Sequence, residues 1–265
     1  MRLHYLDWGN DGAPPLLLLH GIHGTAHAWD ALADALRSQF RILALDLRGH
    51  ADSEWATDGN YEGQALLADL SAFISQLQLN QVAIIGESLG GVVAFAYAAM
   101  NPTTIRGLAV VDIGPEINAE GLQDIRESSQ NRPADFADFG EALSWSSGDR
   151  PVPAAEAIER RLRHNLKETD NGRLTWKYDP RVDTITSSGG PEGDNLLWQL
   201  WSSLKCPTLV IRGERSKLLT PESTDKMLAA CPTAILRTIP DVGHAVLVDN
   251  QPALIGETRA FLVEL

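Results

Sequence analysis

The pentapeptide Gly86-Glu87-Ser88-Leu89-Gly90 follows directly on the apolar run Val82-Ala83-Ile84-Ile85 and precedes a small-residue, helix-prone stretch over 92–100. A short β-rich run, then Gly-x-Ser-x-Gly, then a helix predicts a strand, a sharp turn and a helix, with the serine hydroxyl presented at the tip of the turn. The two glycines leave room for a backbone bend that most side chains would block. The bare pattern is common in loops; its flanks make it specific here. Ser88 is the candidate nucleophile.

Two further segments supply what a serine nucleophile needs. Upstream, Pro15-Leu16-Leu17-Leu18-Leu19 has the composition of a buried strand and ends in His20-Gly21-Ile22-His23-Gly24. Glycines after a strand let main chain approach a ligand, and acyl transfer needs backbone N–H groups aimed at the developing oxyanion. Downstream, a strand over 235–239 leads into Pro240-Asp241-Val242-Gly243-His244, ahead of a C-terminal helix over 252–265. Of the seven histidines, His244 alone stands after the last strand in a Gly-His pair. It is the candidate general base, taking the Ser88 proton and returning it to the leaving group. His4, His27, His50 and His164 have no matched role. His20 is expected to be structural, and His23 to line the mouth of a pocket.

With His20-Gly21, the Ser88 turn and Gly243-His244 in this order, the chain resembles the α/β-hydrolase fold superfamily, in its lid-bearing serine esterase, lactonase and C–C hydrolase branch. The resemblance implies an oxyanion hole made by the amides of Ile22 and Leu89. It also exposes a departure. After a strand over 208–211, the run from Arg212 to Leu219 resembles the segment in which related hydrolases place an aspartate, and by that alignment the position holds Lys217. A lysine cannot accept an imidazole N–H, and its charge opposes an imidazolium. Asp112, ending a strand over 108–111 beside that of Ser88, is the leading substitute, because some members keep their acid after this earlier strand. Glu214 is the alternative acid. An incomplete triad, natural or introduced at Lys217, is the third reading, with Asp112 then capping the turn Asp112-Ile113-Gly114-Pro115.

The rest of the chain alternates. Strands are expected over 3–7, 16–19 and 41–45 and helices over 28–36 and 61–77, which predicts an α/β fold with a mostly parallel, doubly wound sheet. Asp46 and Arg48, on the loop that follows, look like a structural brace. The alternation stops at Gly114 and resumes at Cys206. Residues 1–114 and 206–265 are therefore expected to form the core, and the resemblance implies that 115–205 is a helical cap inserted after the sixth strand, the one that ends at Asp112. Within the cap, Ile158, Leu162 and Leu166 mark the apolar face of a helix over 154–168. A turn, Ser187-Ser188-Gly189-Gly190-Pro191, precedes a helix over 195–204. Trp145, Trp176, Trp198 and Trp201 are candidates to line an apolar substrate pocket. The last two, at i and i+3, suit packing on the core equally well.

Composition narrows the function. A net charge of −13 argues against nucleic acid and against anionic membrane surfaces as partners. No apolar stretch of about 18 residues occurs, nor an apolar opening flanked by basic residues, so a cytoplasmic location is expected. Cys206 and Cys231 are expected to be free thiols. No metal is expected, because no His/Asp/Glu cluster shows ligand spacing along the chain, and no cofactor, because no phosphate-binding or dinucleotide fingerprint is present. The resemblance implies hydrolysis of a small carboxylic ester or lactone through an acyl-enzyme, by a monomer or homodimer. C–C bond hydrolysis or perhydrolysis on the same serine, and a small-molecule binding protein with an impaired triad, are the alternatives.

Overall fold

In a computed structural model that describes residues 1–148, 152–187 and 191–265, the leucine run explains the middle of the fold. Leu16 and Leu18 enter one apolar layer, Leu17 and Leu19 the other, and all four are fully buried. A strand covered on both faces carries no polar alternation, which is why its sequence is apolar throughout.

The chain runs β1 (Tyr5–Asp7), β2 (Pro15–Leu19), a 3-10 turn (Ala26–Trp29), α1 (Asp30–Leu36), β3 (Arg41–Leu45), α2 (Gly63–Gln76), β4 (Val82–Glu87), α3 (Leu89–Met100) and β5 (Ile105–Val111). An insertion follows with α4 (Ala119–Gln130), β6 (Asp135–Phe136), α5 (Phe139–Ser147), α6 (Val152–Asn165), β7 (Leu166–Glu168), β8 (Leu174–Trp176), a second 3-10 segment (Pro180–Ser187) and α7 (Pro191–Ser202). The chain then returns through β9 (Thr208–Gly213), α8 (Pro221–Ala230), β10 (Ala234–Ile239), α9 (Val246–Asp249) and α10 (Gln251–Val263). The main sheet has the order β1-β3-β2-β4-β5-β9-β10. Only the β1–β3 pair is antiparallel. Apolar residues of α2, α3, α7 and α8 cover one face, and those of α1 and α10 the other. The parallel strands β4, β5, β9 and β10 therefore all end at one edge, where the loops carrying Ser88, Asp112, Lys217 and His244 meet.

Two expectations are corrected. The insertion follows the fifth strand of the chain, because a single strand precedes β2. The helix expected over 154–168 ends at Asn165, and Leu166–Glu168 instead pairs antiparallel with β8. Asp170-Asn171-Gly172 makes the hairpin turn, with Gly172 at φ 76°, a left-handed position that glycine adopts readily. The expected apolar face survives the change: Ile158, Leu162 and Leu166 are buried together with Phe136, Ala142 and Trp176. The helix expected over 195–204 is α7, Pro191–Ser202, and it packs on α3 and α8. Ser188, Gly189 and Gly190 of the expected turn lie outside the described residues.

Candidate active site

Ser88 stands between β4 and α3 at φ 51° and ψ −118°, a conformation that a non-glycine residue keeps only when its surroundings hold it there. Its N–H donates to the Val111 carbonyl of β5 at 3.0 Å, and its carbonyl accepts the Val92 N–H at 3.1 Å. The flanking glycines have steric causes. A Cβ on Gly86 would lie 2.3 Å from the Gly90 carbonyl oxygen, and one on Gly90 would lie 2.3 Å from that of Leu19. The motif is thus a close approach of three backbone segments.

The loop after β2 closes against this turn. A Cβ on Gly21 would meet the Ser88 Cβ at 3.2 Å, so the Ile22 amide stands beside the serine. Leu89 is the first residue of α3, and its N–H has no helical acceptor. Neither the Ile22 nor the Leu89 N–H has an internal acceptor among the described residues. His20 fixes this loop: buried, it donates from Nδ1 to the Gly21 carbonyl at 2.7 Å and accepts the Leu47 N–H at Nε2, 3.0 Å away. Burial, with the neighbouring His50, holds its pKa well below the ordinary histidine value, so it stays neutral and structural. Asp46 and Arg48 brace the neighbouring loop through the Ala26 N–H and Asp69.

His244 reaches Ser88 from the loop after β10. Its Nε2 accepts from the Ser88 hydroxyl at 3.2 Å, and its Nδ1–H donates to Asp112 Oδ2 at 2.8 Å. Asp112 is fully buried and, like Ser88, has a positive φ, 53°. Two further donors serve it, the Gly213 N–H at Oδ1, 2.8 Å, and the Ser216 hydroxyl at Oδ2, 2.5 Å. Burial works against the His244 imidazolium, but the hydrogen bond and charge of Asp112, with the charge of Glu87, outweigh it and raise its pKa above the ordinary value. The arrangement pairs a hydroxyl with an imidazole whose tautomer is set by a buried carboxylate. That combination is chemically equipped to make an alkoxide-like nucleophile and to stabilise the imidazolium that results.

The other acid candidates stand elsewhere. Glu214 is exposed and accepts the Asp241 N–H. The Lys217 side chain is 55% exposed and ion-pairs with Glu120 at 2.9 Å and Asp124 at 3.2 Å. Sequence reasoning missed Ser216, which accepts the Leu218 and Leu219 N–H groups while donating to Asp112. Nothing in the local sequence marks it, since its partner lies on another strand.

A cavity of about 440 Å³ opens over Ser88 and His244. His23 lines it, holding Asp183 at 2.7 Å and lying against the Tyr178 ring. Among the described residues none of the four tryptophans does, which corrects the expected apolar pocket. Trp201 is buried in the main core, donating to the Met227 carbonyl at 2.9 Å, and Trp198 packs against the same core. Trp176 belongs to the core of the insertion and donates to the Pro133 carbonyl, while Trp145 is 41% exposed beside it. Trp176, Trp198 and Trp201 go where a large apolar surface can be covered. The cavity takes its upper wall from α4 instead, including Gly121, Asp124, Ile125 and Ser128. This helix was missed because its apolar residues are few; its one local signal is the Asn118 cap on the Glu120 N–H. Gly121 is required there, since its Cβ would come 2.5 Å from the Leu218 backbone.

Tertiary structure also makes cation-capable groups that spacing along the chain hides. Ligand atoms of His27, Asp30 and His164 lie within 4.8 Å of one another, as do those of His4, Asp46 and Asp52. Neither group includes Ser88 or His244. No helix among the described residues is long and apolar enough to cross a membrane.

The family model described as alpha/beta hydrolase fold matches residues 14–251, and the chain belongs to this family. It is 31% identical over 265 residues to the esterase Rv0045c of Mycobacterium tuberculosis, covering 97% of this chain and 85% of that one. It is 28% identical over 256 residues to a 3-hydroxybutyrate-oligomer hydrolase of Cupriavidus necator, covering 92% and 87%. An alpha/beta hydrolase structure from Novosphingobium aromaticivorans superposes with a TM-score of 0.87 at 30% identity, covering all of this chain and 94% of that one. Family and relatives together place the chain among the hydrolases.

Proposed function

We propose that the protein is a serine hydrolase that cleaves a small carboxylic ester or lactone, with Ser88 as nucleophile, His244 as general base and acid, and Asp112 as the residue that orients it. The observation that carries this reading is the continuous path from Ser88 Oγ through the imidazole to Asp112, at 3.2 and 2.8 Å. Ser88 attacks the carbonyl as His244 Nε2 takes its proton. The amides of Ile22 and Leu89 hold the oxyanion, and the protonated imidazole delivers its proton to the departing alcohol. Water, deprotonated by His244, then releases the acid from Ser88. Ester cleavage is favoured over C–C hydrolysis because the relatives named above are an esterase and a 3-hydroxybutyrate-oligomer hydrolase. Residues 115–205 serve as the cap over this site, α4 and α6 facing the cavity and α7 anchoring the segment to the core. The buried free thiols of Cys206 and Cys231 support a reducing compartment, the cytoplasm.

A fluorophosphonate probe should label Ser88, and short aryl esters should be turned over. Ser88→Ala should abolish labelling and lower turnover by about 10⁶, with far-UV circular dichroism unchanged. Esterase activity retained by that variant above a mock purification overturns the mechanism.

A further inference from the structure

The charge of the cavity is opposite to that of the molecule. The chain carries 22 basic against 35 acidic residues, yet the wall around Ser88 holds Arg132, Arg161, Arg215 and Lys217 against Glu87 and Asp124. At the rim Arg215 pairs with Asp241, and Lys217 with Glu120 and Asp124, while Arg132 acts electrostatically on Asp183. Arg132 is held differently. Its guanidinium lies 4.9 Å from the centre of the Trp176 ring and 5.6 Å from that of Tyr178, and its buried Nε has no hydrogen-bond partner. A buried guanidinium N–H without an acceptor is costly unless a ligand completes it. Arg161, from α6, lines the same cavity and acts electrostatically on Glu87, the residue next to the nucleophile.

Resting on the reading of Ser88 as nucleophile, we infer that the cavity is built for an ester that carries a free carboxylate, gripped by Arg132 and Arg161 while its acyl carbon sits at Ser88. A planar guanidinium matches a carboxylate with two parallel hydrogen bonds, which gives orientation as well as attraction. The aromatic rings of Trp176 and Tyr178 fix the Arg132 plane in advance, so little side-chain freedom is lost on binding. This gives Trp176 an indirect part in the site: it supports the anion-binding arginine without touching the cavity. The product is then a dicarboxylic or hydroxycarboxylic acid.

The test compares 4-nitrophenyl hydrogen adipate, which bears a free carboxylate, with its methyl-capped counterpart. Wild-type kcat/KM should favour the free carboxylate by about tenfold or more. Arg132→Gln and Arg161→Gln should each lower kcat/KM for it about 10- to 100-fold more than for the capped ester. Independently of turnover, adipate should slow fluorophosphonate labelling of Ser88 more than the neutral adipamide does. Preference for the capped ester, a carboxylate preference that survives both substitutions, or equal protection by adipate and adipamide overturns the inference. Turnover of the capped ester in those cases leaves the Ser88 mechanism standing. Failure of both turnover and labelling would instead remove the Ser88 reading.

Discussion

The loops after β5 and β9 leave neighbouring strands at the same edge of the sheet, and both line the surroundings of Ser88 and His244. They hold opposite kinds of residue. Asp112, on the first, is fully buried and takes hydrogen bonds from Gly213, Ser216 and His244. Lys217, on the second, points outward to Glu120 and Asp124. A buried carboxylate must be surrounded by donors, or the cost of removing it from water protonates it. An exposed ion pair contributes only about 0–1 kcal/mol. The buried carboxylate that meets His244 and the donors that support it are thus divided between two strand ends. The β9 loop holds no acid in contact with the imidazole, but Gly213 at the end of β9 and Ser216 on the loop supply two of the three donors that keep Asp112 in place.

The division can be broken most severely at Asp112. Asp112→Asn should keep the shape while stabilising the wrong imidazole tautomer, lowering turnover by about 10⁴. The same variant tests the titration of His244. With Asp112 present the imidazole has a raised pKa, so the active, neutral base is lost as pH falls through a value above the ordinary one, near 6.5. Removing the carboxylate takes away the main raising influence, and the acid limb of kcat/KM should move to lower pH as the plateau drops. A limb that stays in place shows that another group sets it.

Ser216→Ala should have an intermediate effect. It removes one donor from Asp112 and the shared acceptor of the Leu218 and Leu219 amides, which predicts a loss of about 1.5–3 kcal/mol of stability in urea unfolding and a smaller fall in turnover. Stability equal to wild type would return the support of the acid to Gly213 alone. The smallest effect belongs to Lys217→Ala, which should change stability by less than about 1 kcal/mol and leave ester turnover near wild type. A large gain from Lys217→Asp combined with indifference at position 112 would reverse the comparison.

The core was legible because its signals are local. An uninterrupted apolar run such as Leu16–Leu19 declares a strand buried on both faces, and Gly-x-Ser-x-Gly between a strand and a helix declares a turn that only small residues permit. The insertion was less legible. A helix over 154–168 and the strand Leu166–Glu168 share the same buried Leu166, and its periodicity alone cannot say where the helix stops; the hairpin partner in β8 decides that. In α4 the signal was nearly absent, because only Gly121 of that helix is buried and the rest of its residues are exposed or half-buried.

By itself the sequence determined the strand–turn–helix at Ser88, the chain order of Ser88 and His244, and the lack of an aspartate where Lys217 stands. These depend on residue type and on neighbours a few positions away. Only the tertiary structure decided that Asp112 reaches His244, that Ser216 holds Asp112, that Trp176, Trp198 and Trp201 pack into cores, and that arginines line the cavity over Ser88. Each of those depends on the distance between atoms far apart in the chain, and that distance is set by the order of parallel strands and the packing of helices on them.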